Sequence, residues 1–296
     1  DHGVMYGAID FYKYAKSKGV KPIIGCEVYV AQNSRFDRKR EIGVKEYSHL
    51  ILLCENNEGY KNLIKMVSLG FTEGFYSKPR VDRELLEKYH GGLIALSACL
   101  AGEIPRALLS GDIESAEKTA LWYKNVFGEG NYYLEIQNHG LDDERKVAYA
   151  LKLMSSKLNI PLVATNDVHY LERQDSDTQA ILMCIQTNNV ITDGRPFGFE
   201  TDEFYFKSAA EMKVLFARYK DAVENTVRIA EKCNFDFEFD KLHLPDFTAE
   251  DGMSHKDKLR SDAYAGFSKK CAEGRIDFSR ATREEYESRI EYELSV

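Results

Sequence analysis

A carboxylate and an imidazole stand two residues apart, directly after a short apolar run that is typical of a buried strand. Asp167 and His169 flank Val168, and the apolar run covers residues 161–165. Successive side chains of a strand alternate between its two faces, so residues i and i+2 point to the same side. We therefore expect both groups to face one site, and the pair suits a metal ion that takes mixed nitrogen and oxygen ligands.

Four more residues of metal-ligand type stand at the start or end of other segments. Glu27 interrupts an apolar strand, His49 opens one, and Cys99 follows a third. The chain itself begins with Asp1-His2, without an initiator methionine. Such side chains rarely lie in apolar surroundings without partners, and metal ions can bind carboxylate, imidazole and thiolate together. The predicted metal ligands are His2, Glu27, His49, Cys99, Asp167 and His169.

Each of these residues also has an ordinary structural explanation when it is taken alone. A glutamate in an apolar strand is often salt-bridged, and a buried cysteine is usually inert packing. Cys99 has no base near it in sequence, and the chain has neither a G-x-S-x-G elbow nor an H-E-x-x-H motif, so a protein nucleophile is not expected. His139, which follows the apolar run 132–136, is predicted to face the substrate.

The elements that must position these side chains alternate between strand-like and helix-like patterns. Repeated strand–helix units with nearly continuous apolar strands predict a parallel sheet covered by helices. A β/α barrel keeps its chemistry at the carboxyl ends of its strands, but an open doubly wound sheet also places ligands there, so both folds remain open. The predicted strands are 22–30, 49–54, 93–97, 132–136 and 161–165, and the predicted helices are 7–18, 57–70, 82–89, 113–127 and 142–158.

Beyond Tyr170 the pattern changes, and the strand–helix alternation ends. From residue 253 onward the sequence is charged, helix-like and poor in residues that could form a core. We place a domain boundary near Phe247, which gives a first domain of residues 1–247 and a second that begins with residues 248–296. Between Tyr170 and this boundary, three helices are predicted at 176–187, 209–219 and 222–232, and one short strand at 203–206.

Composition narrows the function classes. The 296 residues are 44% hydrophobic and carry a net charge of −8, so the chain lacks the overall basic character of a dedicated duplex-DNA binder. Its six cysteines are scattered without a C-x-x-C pair, which fits a reducing cytoplasm better than a disulfide framework. No run approaches the roughly 18 apolar residues of a membrane-spanning helix, so no membrane partner is expected.

Five segments of the chain carry a family resemblance. They are similar to the polymerase-and-histidinol-phosphatase (PHP) domain of bacterial replicative DNA polymerases, the DNA polymerase III alpha subunits. The similarity runs along nearly the whole chain. It implies a distorted (β/α)7 barrel over residues 1–247, followed by the helical beginning of the polymerase palm region in residues 248–296. The matching segments are 1–7, 19–29, 97–104, 164–170 and 203–208.

The resemblance also implies a site and an activity. The six predicted ligands match positions that hold a cluster of up to three divalent ions, Zn²⁺ or Mn²⁺, at the strand ends. Family members with the full ligand set are associated with metal-dependent 3′–5′ exonuclease activity, within a DNA-directed DNA polymerase that acts in DNA replication in the cytoplasm. The implied partners are DNA, a proofreading subunit and other subunits of the polymerase III holoenzyme, with the sliding clamp bound through regions outside this chain.

The family pattern begins upstream of this sequence. Its opening strand carries an H-x-H motif and a further acidic ligand that would precede Asp1. Three of the nine usual ligands and two barrel strands are therefore expected to be absent here, and the metal site is expected to be incomplete. The catalytic carboxylates of the polymerase are likewise expected beyond Val296, so these residues alone should not polymerise DNA.

Two other functions compete with the nuclease hypothesis. A non-catalytic scaffold could dock a separate proofreading exonuclease, although a pure scaffold has no need of six ligand-type residues at strand ends. A stand-alone small-molecule phosphatase of the same superfamily is the third hypothesis. The charged extension after Phe247 argues against it, because an isolated barrel has no use for that segment.

Overall fold

The computed structural model describes residues 1–39, 45–190, 198–242, 244–249 and 252–296. Within these residues it has an α/β fold, as the sequence predicts. Its strands are β1 (Gly25–Ala31), β2 (Tyr47–Cys54), β3 (Arg80–Val81), β4 (Leu93–Leu96), β5 (Tyr132–Ile136) and β6 (Leu162–Ala164). They form one sheet in the order β3-β1-β2-β4-β5-β6, and among the described residues the edge strands β3 and β6 do not close it into a barrel.

The helices of the described residues follow most of the predicted segments. They are α1 (Ala8–Ser17), α2 (Asn57–Thr72), α3 (Arg83–Tyr89), α4 (Glu103–Leu109), α5 (Ile113–Phe127), α6 (Asp142–Leu158), α7 (Ser176–Thr187), α8 (Ala209–Leu215), α9 (Lys220–Lys232), α10 (His255–Ala272) and α11 (Arg283–Ser295). Helix α4 was not predicted, and it contains Pro105 in its first turn. Proline is tolerated in the first turn of a helix, where its missing N–H group has no intrahelical partner.

The prediction of an all-parallel sheet is wrong at β2. This strand runs antiparallel to both β1 and β4, whereas the other pairings in the sheet are parallel. An apolar run shows that a strand is buried but not which way it runs. The burial of β2 alternates along its length, as is typical of an antiparallel strand with one well-covered face. Because β2 is reversed, its first residues lie at the edge of the sheet where its parallel neighbours end.

The predicted strand at 203–206 is also absent as a strand. Only Tyr205 pairs there, through a single bridge to Tyr170. The short strand β3 was not predicted, because two residues are too few to show a periodic pattern.

Helices pack against both faces of the sheet. On one face the core includes Leu63 and Met66 of α2, both completely buried. Full burial of one such side chain contributes about 1.5–3 kcal/mol. On the other face Ile94 and Val163 pack with Ile229 of α9. Helices therefore cover both faces of the sheet. The candidate site lies at the edge of the sheet where the parallel strands end.

The chain divides into two compact units, Asp1–Phe237 and Glu238–Val296. The second unit contains α10 and α11, and α11 begins with a capping box from Thr282. It has little core of its own, as the sequence indicates, with Phe267 as the buried residue of α10. The domain boundary at Phe247 stays a prediction. No helix in the described ranges is both long and apolar enough to span a membrane.

Candidate metal centre

Regular strand pairing brings together the first part of the site. Glu27 lies on β1 and His49 on the antiparallel neighbour β2, two positions apart in register, so their side chains share a face. Glu27 Oε1 lies 2.9 Å from His49 Nδ1. His2 forms a parallel bridge to Glu27, and its Nδ1 atom is 4.0 Å from the same Oε1 atom. One carboxylate thus faces two imidazoles.

Cys99 joins this group from the loop after β4. Its Sγ atom lies 3.6 Å from His49 Nδ1, so a base that is remote in sequence is close in space. The backbone N–H of His49 donates to Ala101 O over 3.1 Å, which ties β2 to the Cys99 loop. Burial, together with the charges of the Asp167 and Glu27 carboxylates, raises the pKa of the Cys99 thiol to about 12. Without a nearby cation the thiol therefore stays protonated, and it is not an activated nucleophile.

The backbone is constrained where the loops meet the site. Ala98, next to Cys99, has φ of +63°, and Asp167 has φ of +45°. Non-glycine residues rarely adopt this left-handed region, and such outliers are concentrated at functional sites. The strand geometry invoked for Asp167 and His169 is therefore wrong, because β6 ends at Ala164. The two side chains meet nevertheless, with Asp167 Oδ1 3.3 Å from His169 Nε2.

The carboxylate of Asp167 lies among imidazoles. Burial acts to raise its pKa, but the hydrogen bond and charge of His169 and the charges of His139 and His2 outweigh it, so the pKa falls below its ordinary value. The rings of His2 and His169 are 6.3 Å apart, centre to centre, which joins the two parts of the site. The site is open to solvent, since the side chains of His49, Asp167 and His169 are each about one-fifth exposed.

His139 does not face solvent, contrary to what a substrate-facing residue requires. It is completely buried. Its Nδ1 atom lies 2.6 Å from Glu144 Oε1, and its Nε2–H donates to Asn166 O over 2.7 Å. Phe204 stacks on the ring at 3.8 Å. With both ring nitrogens engaged, His139 supports the backbone just before Asp167 and leaves no ring nitrogen for a substrate.

Glu135 on β5 is a residue that sequence reasoning missed. It is 5% exposed, and its Oε1 atom accepts hydrogen bonds from Gln137 Nε2 at 3.1 Å and from the hydroxyl of Thr165. Burial raises the pKa of the Glu135 carboxyl to about 7, against the opposing hydrogen bond from Thr165 and with added repulsion from Asp167. A signal was available, because Glu135 interrupts an apolar strand just as Glu27 does.

The donor atoms of the site decide whether it fits a metal ion. Among the described residues, no three His, Cys, Asp or Glu side chains are arranged as they stand to hold one ion. Two carboxylate oxygens, Glu27 Oε1 and Glu135 Oε2, are nevertheless buried without any hydrogen-bond partner. Glu27 Oε1 and His49 Nδ1 are thus close enough for a hydrogen bond, but their geometry does not form one. Buried anionic oxygens are costly without a partner, and a cation with mixed N, O and S ligands would match these donors.

Comparison with known proteins shows what the chain is similar to. Residues 1–139 match the PHP domain. Over its whole length the chain is 45% identical to the DNA polymerase III subunit alpha of Treponema pallidum, covering 25% of that protein. It is 48% identical over 83% of its length to the corresponding protein of Borreliella burgdorferi, and 41% identical over 90% to that of Thermus aquaticus, covering 22% of each.

The chain therefore spans about a quarter of the length of these relatives. The α/β fold agrees with the family match. Residues 1–139 belong to the PHP-domain family, and the chain as a whole is a relative of DNA polymerase III alpha subunits.

Proposed function

We propose that the chain is the PHP region of a replicative DNA polymerase, and that its site hydrolyses phosphodiester bonds of DNA with divalent metal ions, as a 3′–5′ exonuclease. One observation carries this proposal: six side chains of metal-ligand type, from five separate parts of the chain, surround one solvent-open site. They are His2, Glu27, His49, Cys99, Asp167 and His169.

The chemistry follows from the donor types. Bound divalent ions supply charge that stabilises a phosphodiester transition state and lower the pKa of a coordinated water molecule. The imidazoles and carboxylates suit Zn²⁺ or Mn²⁺, up to three ions in the intact domain, and the thiol of Cys99 favours Zn²⁺. The buried carboxylate of Glu27 faces His2 and His49, so it can orient both rings. A protein nucleophile has no place in this proposal, because the Cys99 thiol is protonated without a cation and would be a metal ligand with one.

The wider role is drawn from the relatives. Their printed name, DNA polymerase III subunit alpha, supports a DNA-directed DNA polymerase as the parent protein and DNA replication as its process. We extend this to DNA as substrate, to the other holoenzyme subunits as partners, including a proofreading subunit and the sliding clamp, and to the cytoplasm as location. The free state of all six cysteines supports a reducing compartment.

A scaffold function is the second candidate, and one observation favours it. Helix α7 exposes Ile181, Leu182 and Ile185, each at least half accessible, which is an apolar surface suited to a protein contact. Under this alternative the domain would dock a separate proofreading exonuclease, and its metal-ligand residues would be structural.

The test compares the intact polypeptide with its Asp167→Asn variant. Asparagine tolerates the left-handed backbone at this position, so the variant removes charge with little strain. Single-stranded DNA labelled at its 5′ end is incubated with Zn²⁺ or Mn²⁺. Stepwise shortening that is lost in Asp167→Asn is the expected result. A metal-loaded, folded protein that leaves the DNA intact would overturn the nuclease and favour the scaffold.

A further inference from the structure

Glu135 lies between the two loops that carry candidate ligands. It is on β5, whose neighbours are β4, followed by Cys99, and β6, followed by Asp167. Its backbone N–H donates to Ser97 Oγ over 2.8 Å, which fixes it against the start of the Cys99 loop. Its Oε1 atom accepts from Thr165, two residues before Asp167. Glu135 therefore connects both sides of the site through its own hydrogen bonds.

The second oxygen of this carboxylate is unusual in the molecule. Glu135 Oε2 is buried and has no hydrogen-bond partner. Other buried carboxylates of the described chain are paired with cationic or imidazole groups: Asp82 lies 3.0 Å from Arg35, and Glu144 lies 2.6 Å from His139. No comparable ion pair of Glu135 is found in the described ranges. A buried carboxylate that is bonded on one side only is costly unless a cation completes it.

We propose that Glu135 is a further residue of the metal centre, whose Oε2 atom provides negative charge for a divalent cation while its Oε1 atom, through Thr165, positions the segment that carries Asp167. The proposal rests on the metal centre proposed above. Carboxylate oxygen suits Mn²⁺ and is also accepted by Zn²⁺. An ordinary packing role does not account for the unpartnered oxygen, since a glutamine at the same position could use the same hydrogen bonds without the charge.

The matched variants are Glu135→Gln and Glu55→Gln. Glutamine keeps an oxygen that can accept from Thr165 but removes the charge. Glu55 follows the opposite end of β2 and lies 3.6 Å from Lys232, so its variant removes a comparable charge far from the site. Affinity for Mn²⁺ and Zn²⁺ is measured by calorimetric titration of the intact polypeptide, with Asp167→Asn as the reference for loss of the centre. Thermal unfolding of each protein is recorded with and without chelator.

We expect Glu135→Gln to weaken metal affinity by about 10- to 100-fold, the range typical of residues that support metal ligands. Glu55→Gln should bind metal like the unsubstituted protein. In chelator, Glu135→Gln should unfold at the same temperature as the unsubstituted protein or higher, because an uncompensated buried charge has been removed. A lower unfolding temperature in chelator would mean that the carboxylate stabilises the fold without a cation, which would overturn the proposal.

The two proposals fail in different ways. If the unsubstituted protein and Asp167→Asn take up the same amount of metal, the proposed centre itself is wrong. If Asp167→Asn loses metal while Glu135→Gln binds as tightly as Glu55→Gln, the centre stands and the role of Glu135 is wrong.

Discussion

The two halves of the candidate site are built by different means. In the strand half, His2, Glu27 and His49 are positioned by backbone pairing along β1 and β2. In the loop half, Asp167 and His169 lie beyond the end of β6, with a left-handed residue at Asp167. A strand ladder fixes side chains through many similar hydrogen bonds, whereas a loop depends on a few specific contacts.

Those few contacts come from distant parts of the chain. The carbonyl of Asn166 accepts from His139, and its side-chain amide donates to Tyr205 O over 2.7 Å. The buried ammonium of Lys207 lies 3.3 Å from Asn166 Oδ1. The backbone N–H of His169 donates to Phe204 O over 2.9 Å. The loop half should therefore be sensitive to substitutions that never touch a ligand, and the strand half should be sensitive mainly at the ligands themselves.

The largest effect is expected from His139→Ala compared with His49→Ala. Loss of His139 leaves the buried carboxylate of Glu144 without its imidazole partner, and breaking a buried pair in this way costs about 3–5 kcal/mol. His49 is partly exposed, and its loss should change the free energy of unfolding by about 1 kcal/mol while it weakens metal binding directly. Urea unfolding in chelator measures the first effect and metal titration the second. Equal stability losses would contradict the distinction between the two halves.

The next effect is a pH dependence of the metal-free protein. The pKa of Glu135 is raised to about 7 in the folded state, from an ordinary value of 4.5, so the folded protein holds a proton that the unfolded chain releases. The contribution of Glu135 to stability should therefore be largest below pH 4.5, fall as the pH rises towards 7, and stay level above it; the loss is at most about 3 kcal/mol. Urea unfolding of Glu135→Gln across this range should lack that component. An identical pH profile for both proteins would contradict the expected shift.

The smallest effect concerns the backbone at Asp167. Glycine adopts a positive φ freely, whereas alanine in the left-handed region costs about 1–2 kcal/mol. Asp167→Gly should therefore be more stable than Asp167→Ala by about that amount in chelator, reduced by the greater flexibility of glycine in the unfolded chain. Both variants lose the carboxylate, so metal titration should not separate them. A less stable glycine variant would mean that the strain is relieved in solution.

Much of the fold could be predicted from local sequence patterns. The bounds of α5 and α6 match the prediction because each has a clear apolar period, and Asp112 caps the start of α5 through Ser115 N. The direction of β2 could not be predicted, because its nearly continuous run of apolar residues does not reveal the alternating burial that the structure shows. The supporting contacts of Asn166 could not be predicted either. Lys207 lies 41 positions away, and a lysine in a sequence is normally interpreted as a surface charge.

The candidate site shows the same division between local and long-range information. The i, i+2 spacing drew attention to Asp167 and His169, and their side chains lie close together although the strand geometry behind the prediction was wrong. Glu135 could have been found by the rule that selected Glu27. The burial of His139 could not have been predicted from the sequence, because it depends on Phe204 and Glu144, which pack around the ring. The ligand and metal assignments themselves stay predictions.

The reversed direction of β2 would couple the proposed metal binding to strand register. His49 faces Glu27 and the Cys99 loop only in the observed pairing, in which it lies opposite Tyr29. A slip of one residue would turn His49 into the core and present Leu50, now almost completely buried, in its place. A bound cation would then lose a ligand from its centre, so metal binding should stabilise the observed strand register relative to the slipped one.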